Sequence, residues 1–394
     1  MTDLAALLDT LERTPDVGTV DQRAWDAADR YLLDYAASEF PDAVAGEVAV
    51  VDDTHGALAL GALALGARGV RVHQDSLVAR RALAGNAERA GLAEPAQHPL
   101  ASLVTPATSL VLVRLPRSLD RLDAIARSTA RAAGPDVVVL AAGRLKHMTP
   151  TQNEVLARAF ARVDVTHARA KSRILVAREP RPDVTLPLAF VARLELRPGG
   201  GGNDSRREGV SPAASGAEAH TIEVVALPGV FAGPTLDIGT RALLDTFDEL
   251  PPFERAIDLA CGTGIVAALL ARRNPDARIL ATDVSEIAVE SARLTAEANG
   301  VRVDAHQDDG LSGEPDASAD LVVLNPPFHA GAAVTTEIAH RLFADAARVL
   351  RPGGELRVVW NSHLGYRPVL ERLVGPTRQL SRTPKFTVTV SRRR

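Results

Sequence analysis

The sequence predicts an α/β chain built as two tandem copies of one mostly parallel unit. Two observations carry this: the order strand, glycine turn, helix, strand, helix occurs twice, from Glu47 and again from Arg255, and the landmark residues of the two runs align. Gly56 falls opposite Gly264, Ser76 opposite Ser285, Ala87-Glu88 opposite Ala296-Glu297, and Gly91 opposite Gly300. Further on, Leu110 to Val113 followed by Pro116 matches Leu321 to Leu324 followed by Pro327. At 394 residues there is room for two such domains, each with its own core.

Leu4, Leu7, Leu8 and Leu11 fall at helix spacing, as do Trp25, Tyr31, Leu32 and Tyr35, so residues 1 to 40 read as packing helices. Glu47 to Val51 reads as a strand, and the apolar stretch Gly56 to Ala67 after it as a buried helix. A strand Gly69 to His73 follows, and Asp75-Ser76 caps a helix from Leu77 to Ala90 that stops at Gly91. A helix from about Asp120 to Ala133 and a strand Asp136 to Leu140 come next, then Arg144-Leu145-Lys146-His147 and a helix from Thr151 to about Ala161. Val163 to Ala170 and Ser172 to Ala177 look like a hairpin whose tip carries Arg169, Lys171 and Arg173. That tip reads mainly as a solvated face, with phosphate contact as the alternative.

Pro180, Pro182 and Pro187 mark a linker that begins at about residue 179, so the domains are expected to span residues 1–180 and 184–394. Strands Ala189 to Leu196 and Thr221 to Ala226 flank a Gly/Ser/Asn stretch, about residues 198–219, whose composition predicts a disordered loop. The second unit runs from Ala256 through the turn Ala260-Cys261-Gly262-Thr263-Gly264 to a helix Ile265 to Arg273. A strand Arg278 to Thr282 ends on Asp283, and Ser285 caps a helix reaching Asn299-Gly300.

Composition limits the function classes. The 45 basic and 49 acidic residues give a net charge of −4, so nucleic-acid binding must come from local patches. The single cysteine, Cys261, excludes an internal disulfide framework and a cysteine zinc cluster. Acidic residues from Asp3 onward argue against a secretory leader, and Gly56 to Ala67, the longest uncharged apolar run, is too short to span a bilayer. A cytoplasmic protein with no membrane segment and no metal site is expected.

The chemistry concentrates in the second unit. Gly262 and Gly264, with Thr263 between them, let the backbone approach a ligand, and Asp258 at the strand end is placed to accept from a cationic or N–H donor. Asp283, 19 residues after Gly264, can take both hydroxyls of a ribose. A dinucleotide fold shares that much, although its sixth-position glycine is Ala267 here. After a third strand, Val303 to Ala305, the pair Asp308-Asp309 reads either as an acceptor for an adenine amino group or as a polar turn. Leu324 then ends a buried strand on Asn325-Pro326-Pro327-Phe328-His329. An amide acceptor, a proline carbonyl with no competing N–H and a phenyl face can hold a planar amine, which suits nitrogen methylation; the plainer reading is a Pro-Pro turn with a core Phe.

In this order the four features resemble class I S-adenosylmethionine-dependent methyltransferases. The resemblance implies two Rossmann-like domains, the second with a seven-stranded, mostly parallel sheet and S-adenosylmethionine at the carboxyl ends of its first four strands. It also implies Gly262, Thr263 and Gly264 at the methionine side, Asp283 at the ribose, Asp309 at the adenine, and Asn325, Pro326, Pro327 and Phe328 around an amine. Leu227-Pro228-Gly229-Val230-Phe231, Leu236 to Arg241 and the extension His329-Ala330-Gly331 are similar to bacterial ribosomal RNA guanine-N2 methyltransferases, as are Lys146-His147 and Thr383 to Val388. Those enzymes also carry a degenerate N-terminal copy, so the resemblance spans nearly the whole chain, and it adds Thr240 to the cofactor residues.

Where the second copy has Gly262, Asp283 and Asn325-Pro326-Pro327-Phe328, the first has Thr54, Gln74 and Arg114-Leu115-Pro116-Arg117. The first copy is therefore expected to be catalytically silent and to recognise RNA. The resemblance implies methylation of guanine N2 in ribosomal RNA or a ribosomal particle, and a monomer is expected. A protein glutamine or adenine N6 are alternative acceptors, and a non-catalytic RNA-binding or ribosome assembly protein is the alternative of another class.

Overall fold

The computed structural model describes residues 3–15, 23–196, 220–327 and 332–394, and the chain divides into two compact units between Leu188 and Ala189. The Gly/Ser stretch expected to be a loop, and Phe328 to Gly331, lie outside the described residues.

In the first unit the strands are β1 (Glu47–Val51), β2 (Gly69–His73), β3 (Ala96–Gln97), β4 (Thr108–Arg114), β5 (Val138–Arg144), β6 (Phe160–Val165) and β7 (Ser172–Pro180), in sheet order β3-β2-β1-β4-β5-β7-β6. The first five are parallel, and β7 runs antiparallel to both its neighbours. The second unit opens with the antiparallel pair β8 (Phe190–Leu196) and β9 (His220–Ala226). Its sheet contains β10 (Arg255–Leu259), β11 (Arg278–Asp283), β12 (Asp304–Gln307), β13 (Ala319–Leu324), β14 (Leu350–Asn361), β15 (Thr377–Arg382) and β16 (Phe386–Arg392). The order β12-β11-β10-β13-β14-β16-β15 is that of the first unit, strand for strand, so the internal repeat is a repeat of topology.

Parallel strands need both faces covered, and the sequence supplies unbroken apolar runs for them. Along β1, Val48 and Val50 enter one core while Ala49 and Val51 enter the other; in β10, Ala256 and Ile257 divide the same way. The helix Ala57–Ala64, expected to be buried, has Leu58 and Leu60 wholly inaccessible. A glycine in the left-handed region precedes the first helix of each sheet, at Gly56 (φ 90°) and Gly264 (φ 74°). A Cβ there would lie 2.6 Å from Leu83 Cδ1 or 2.6 Å from Ala292 Cβ, so each also lets the next helix close in.

The described helix ends at Ala159 rather than Ala161, because Phe160 is buried and pairs with Pro180 at the start of β6. That pairing also brings Glu179 and Pro180, expected in the linker, into β7. Strand β5 runs on to Arg144, beyond the Leu140 expected, since β7 pairs with it from Val139 to Arg144. The edge strand β9 is held by the helix Glu286–Ala298: Val225 N donates to Thr295 Oγ1, Leu227 N to Ser291 Oγ, and Glu223 N to Asn299 Oδ1 in the cap beyond it. No described helix is long and apolar enough to cross a membrane.

Candidate active site

The candidate residues read from the sequence gather at the carboxyl ends of β10, β11 and β13 in the second unit. The turn after β10 holds three residues in the left-handed region, Ala260 (φ 59°), Gly262 (φ 53°) and Gly264 (φ 74°). The two glycines serve different ends. A Cβ on Gly264 would meet Ala292, whereas one on Gly262 would meet nothing within 4 Å among the described residues, so there the Gly262 backbone faces space that a ligand can enter. Asp283 reaches across from β11, taking Gly262 N on Oδ2 at 3.1 Å and Ser285 N on Oδ1 at 3.0 Å. Thr263 is buried between the two glycines.

Two acids have partners that the sequence did not reveal. Asp258 is 3% exposed, and its Oδ2 accepts from Ala267 N at 3.0 Å, bracing the first turn of the helix Ile265–Arg273. Burial raises its carboxyl well above the usual range, so the expected N–H donor is the protein's own backbone and not a ligand. Asp309, expected to stand open for an amino group, is gripped by Arg341 Nη1 at 3.2 Å and Nη2 at 2.5 Å. Its neighbour Asp308 closes the turn by accepting from Asp309 N and Gly313 N.

Asn325 has the most informative surroundings. Its Nδ2 donates to Thr240 Oγ1 at 3.0 Å and to Asp237 Oδ2 at 3.3 Å. Asp237 caps the helix Ile238–Leu244, and the same Oδ2 accepts from Gly239 N at 2.9 Å and Thr240 N at 3.2 Å. A carboxylate only accepts, so the amide must face it with its NH2 end. Asn325 Oδ1 is left buried with no partner among the described residues. Such an acceptor costs about 1–3 kcal/mol unless a hydrogen-bond donor satisfies it, which makes it a candidate binding atom. Gly239 completes the fit, since a Cβ there would stand 3.2 Å from Phe386 and 3.5 Å from Asn325 Oδ1.

Thr240, expected beside the cofactor, supports Asn325 and keeps its hydroxyl hydrogen to donate. Pro326 is buried and Pro327 exposed, while Phe328 lies outside the described residues. Sequence reasoning missed Asp237, Gly239 and Arg341 as members of the site. Asp237 before an apolar helix does signal an N-cap, but nothing in the sequence joins it to an asparagine 88 positions away.

The equivalent end of the first unit is closed by its own residues. Arg114, opposite Asn325 in the repeat, pairs with Asp29 at 3.1 Å and Asp26 at 3.3 Å, and Asp26 caps the helix Ala27–Glu39 as Asp237 caps its own. Gln74 Nε2, in the place of Asp283, donates to the Asp53 carbonyl. Asp29 is 2% exposed, and burial raises its carboxyl to about 7 despite Arg114 beside it. Because the folded state holds this proton more tightly than the unfolded state, the contribution to stability falls as pH rises from about 4 to about 7 and is flat above that. Asp29→Asn is expected to reduce the pH dependence of this unit's unfolding free energy across that window, measured by urea titration, by an amount on the order of a few kcal/mol.

Comparison with known proteins accords with the division into units. Residues 2–181 match the RLMG N-terminal domain, and residues 221–390 match the methyltransferase small domain. The chain is 38% identical to "Ribosomal RNA large subunit methyltransferase G" of Streptomyces coelicolor over 96% of both chains. It is 34% identical to the protein of that name in Pseudomonas entomophila, over 97% of both. Among solved structures, the T. thermophilus 16S rRNA N2 G methyltransferase, in complex with AdoMet and guanosine, has the same fold. Its TM-score is 0.71 at 23% identity, covering 90% of this chain and 91% of that one. The tandem seven-stranded sheets, the glycine turn and the Asn-Pro-Pro strand end thus stand in a chain that aligns with these relatives over 96% or 97% of its length, and it belongs to the ribosomal RNA large subunit methyltransferase G family.

Proposed function

We propose that the chain transfers a methyl group from S-adenosylmethionine to the exocyclic N2 amine of a guanine in large-subunit ribosomal RNA. The observation that carries this reading is the buried, unpartnered Oδ1 of Asn325, held outward by Asp237. A planar amine has two hydrogens to give, and Asn325 Oδ1 and the Pro326 carbonyl are the acceptors for them. Accepting both draws the nitrogen out of conjugation with the ring and fixes its lone pair in one direction, so positioning and local dipoles provide most of the acceleration. No residue need act as base, since the alkylated nitrogen loses a proton to water readily.

The residues present fit the cofactor. The bare backbone of Gly262 and the buried Thr263 suit its methionine end, and Asp283 suits the ribose hydroxyls. Asp309, steadied by Arg341, keeps lone pairs for the adenine amine. Thr240 can donate its hydroxyl to a nearby carboxylate. When bound, S-adenosylmethionine supplies an electrophilic methyl on a positively charged sulfur. Glycine turn and amine clamp come from one unit, which is consistent with a monomer, and a ribosomal RNA substrate places the work in the cytoplasm. The first unit, its cleft closed by Arg114, is assigned substrate recognition.

The test is nucleoside analysis of large-subunit rRNA from cells lacking the protein, incubated with the purified chain and labelled S-adenosylmethionine. N2-methylguanine is the expected product. Label in N6-methyladenine, or label only in protein, would replace guanine as the acceptor, and no label anywhere would favour an assembly role.

Asp237 provides an independent check on the clamp. Asp237→Asn offers Asn325 a partner that both donates and accepts, so the amide is free to flip and turn its NH2 end toward the substrate. Turnover is expected to fall tenfold or more, on the order of 1–2 kcal/mol, with S-adenosylmethionine affinity unchanged. Unaltered turnover would show that Asp237 does not set the amide's orientation.

A further inference from the structure

Asp309 follows β12 at the carboxyl end of the second sheet, next to the acid that closes β11. Gln307 is opposite Asp283 in the β11–β12 ladder, and Asp308 N donates to the Asp283 carbonyl at 3.0 Å. The turn carrying Asp309 is fastened to the helix Ala332–Val349 by three side chains spaced along one side of it, Arg341, Asp345 and Arg348. Arg348 donates to the carbonyls of Leu311 at 2.5 Å and Glu314 at 2.7 Å, and Asp345 Oδ2 accepts from Leu311 N at 3.4 Å. Those three contacts are to backbone, and they hold the path of the turn.

Arg341 does something else. Its hydrogen bonds among the described residues go to a single carboxylate, Nη1 to Asp309 Oδ2 at 3.2 Å and Nη2 to Oδ1 at 2.5 Å, while its Nε is buried with no partner among them. The Asp309 side chain is 8% exposed, so little water competes for it. Two N–H groups on two oxygens fix the plane of a carboxylate, which a point charge does not. With the turn already secured by Asp345 and Arg348, what Arg341 adds is a direction for the remaining lone pairs of Asp309.

A carboxylate only accepts, so a carboxylate fixed in direction selects the group that faces it. Adenine has an amine at C6. Guanine and hypoxanthine have a carbonyl oxygen there, whose lone pairs would oppose those of Asp309. The distinction matters in this cleft, because the cofactor and the acceptor of the reading above are both purines and differ at that position.

The geometry points to Arg341 as a positioning residue for the cofactor's base: through Asp309 it makes the purine site select a 6-amino over a 6-oxo ring and keeps guanine nucleosides out of the cofactor's place. The inference rests on the S-adenosylmethionine reading above and deepens it, and it does not depend on which amine accepts the methyl group.

The test is calorimetric titration of the full-length chain with S-adenosylhomocysteine and S-inosylhomocysteine, which carry an amine and a carbonyl at C6. Wild type should prefer the adenosyl ligand by about 10- to 100-fold, the range of one hydrogen bond to a charged group. Arg341→Met removes the fork, and adenosyl affinity should fall about tenfold with inosyl affinity retained, which also reports an intact fold. Arg341→Lys should recover only part of the preference. Arg341→Met added to Asp309→Ala should change nothing further, because Arg341 acts through that carboxylate.

An Arg341→Met chain with the wild-type preference overturns the proposal, as does one that loses both ligands equally, which would assign Arg341 to the fold. Further loss of preference in the double variant overturns it too, by separating Arg341 from Asp309. The two readings are told apart by the wild-type chain. Binding of neither ligand defeats the cofactor reading and this inference with it, whereas a preference that survives Arg341→Met defeats the role of Arg341 alone.

Discussion

Asn325→Ala is expected to reduce methyl transfer by at least about 10²–10³-fold, the range seen when one preorganised hydrogen-bonding group at a reacting centre is removed. The substitution deletes the clamp acceptor that is buried without a partner among the described residues. S-adenosylmethionine affinity should persist, because the turn at Gly262 and its Asp283 partner are made by other strands. Asn325→Asp should fare no better. It places a carboxylate about where the amide now donates to Asp237 at 3.3 Å, and two like charges so close would force one to hold a proton or turn away. Initial rates of methyl incorporation, set beside calorimetric titration with S-adenosylmethionine, check both variants. Wild-type turnover by Asn325→Ala would remove the clamp from the mechanism.

Gly264→Ala and Gly262→Ala are expected to fail in opposite ways, although they lie two residues apart. At Gly264 a new Cβ would sit 2.6 Å from Ala292 Cβ and 2.7 Å from its Cα, at φ 74°. Backbone cannot yield as a side-chain end can, so overpacking of about 1–3 kcal/mol adds to about 1–2 kcal/mol for an alanine in the left-handed region. Together these are a large share of the roughly 5–15 kcal/mol that holds a domain folded. The second unit should melt many degrees lower.

At Gly262 the same methyl enters open space at φ 53°, so only the backbone strain applies and the fold should survive. What it loses is the bare approach to the backbone, and with it S-adenosylmethionine affinity. Thermal melting alongside cofactor titration separates the two. Equal melting temperatures would refute the division of labour between the glycines. The twin position gives a third point: at Gly56 the nearest atom is the flexible Leu83 Cδ1, with Leu83 Cα at 3.3 Å, so Gly56→Ala should cost less than Gly264→Ala.

Much of the fold was legible because its determinants are local. Ser76 and Ser285 cap their helices through their own hydroxyls, accepting from Ala79 N and Ala288 N, and Gly91 ends its helix at φ 63°. Strands such as Glu47–Val51 are short apolar runs with turns at both ends, so length and punctuation identify them. Boundaries slipped where a partner strand decides them, as at Phe160 and Arg144, which only β7 recruits into the sheet.

The site divides in the same way. Sequence by itself determined the tandem repeat, the glycine turn, the acid closing β11 and the Asn-Pro-Pro strand end, because each residue type suits its chemistry within a few positions of its neighbours. Tertiary structure decided which groups are already committed: Asp258 to the Ala267 amide, Asp309 to Arg341, and Arg114 to Asp26 and Asp29. It also decided that Asn325 presents its oxygen, because the acid that turns the amide lies on a helix far off in sequence. A hydrogen bond depends on the position and direction of both partners, and spacing along the chain conveys neither when a whole sheet folds between them.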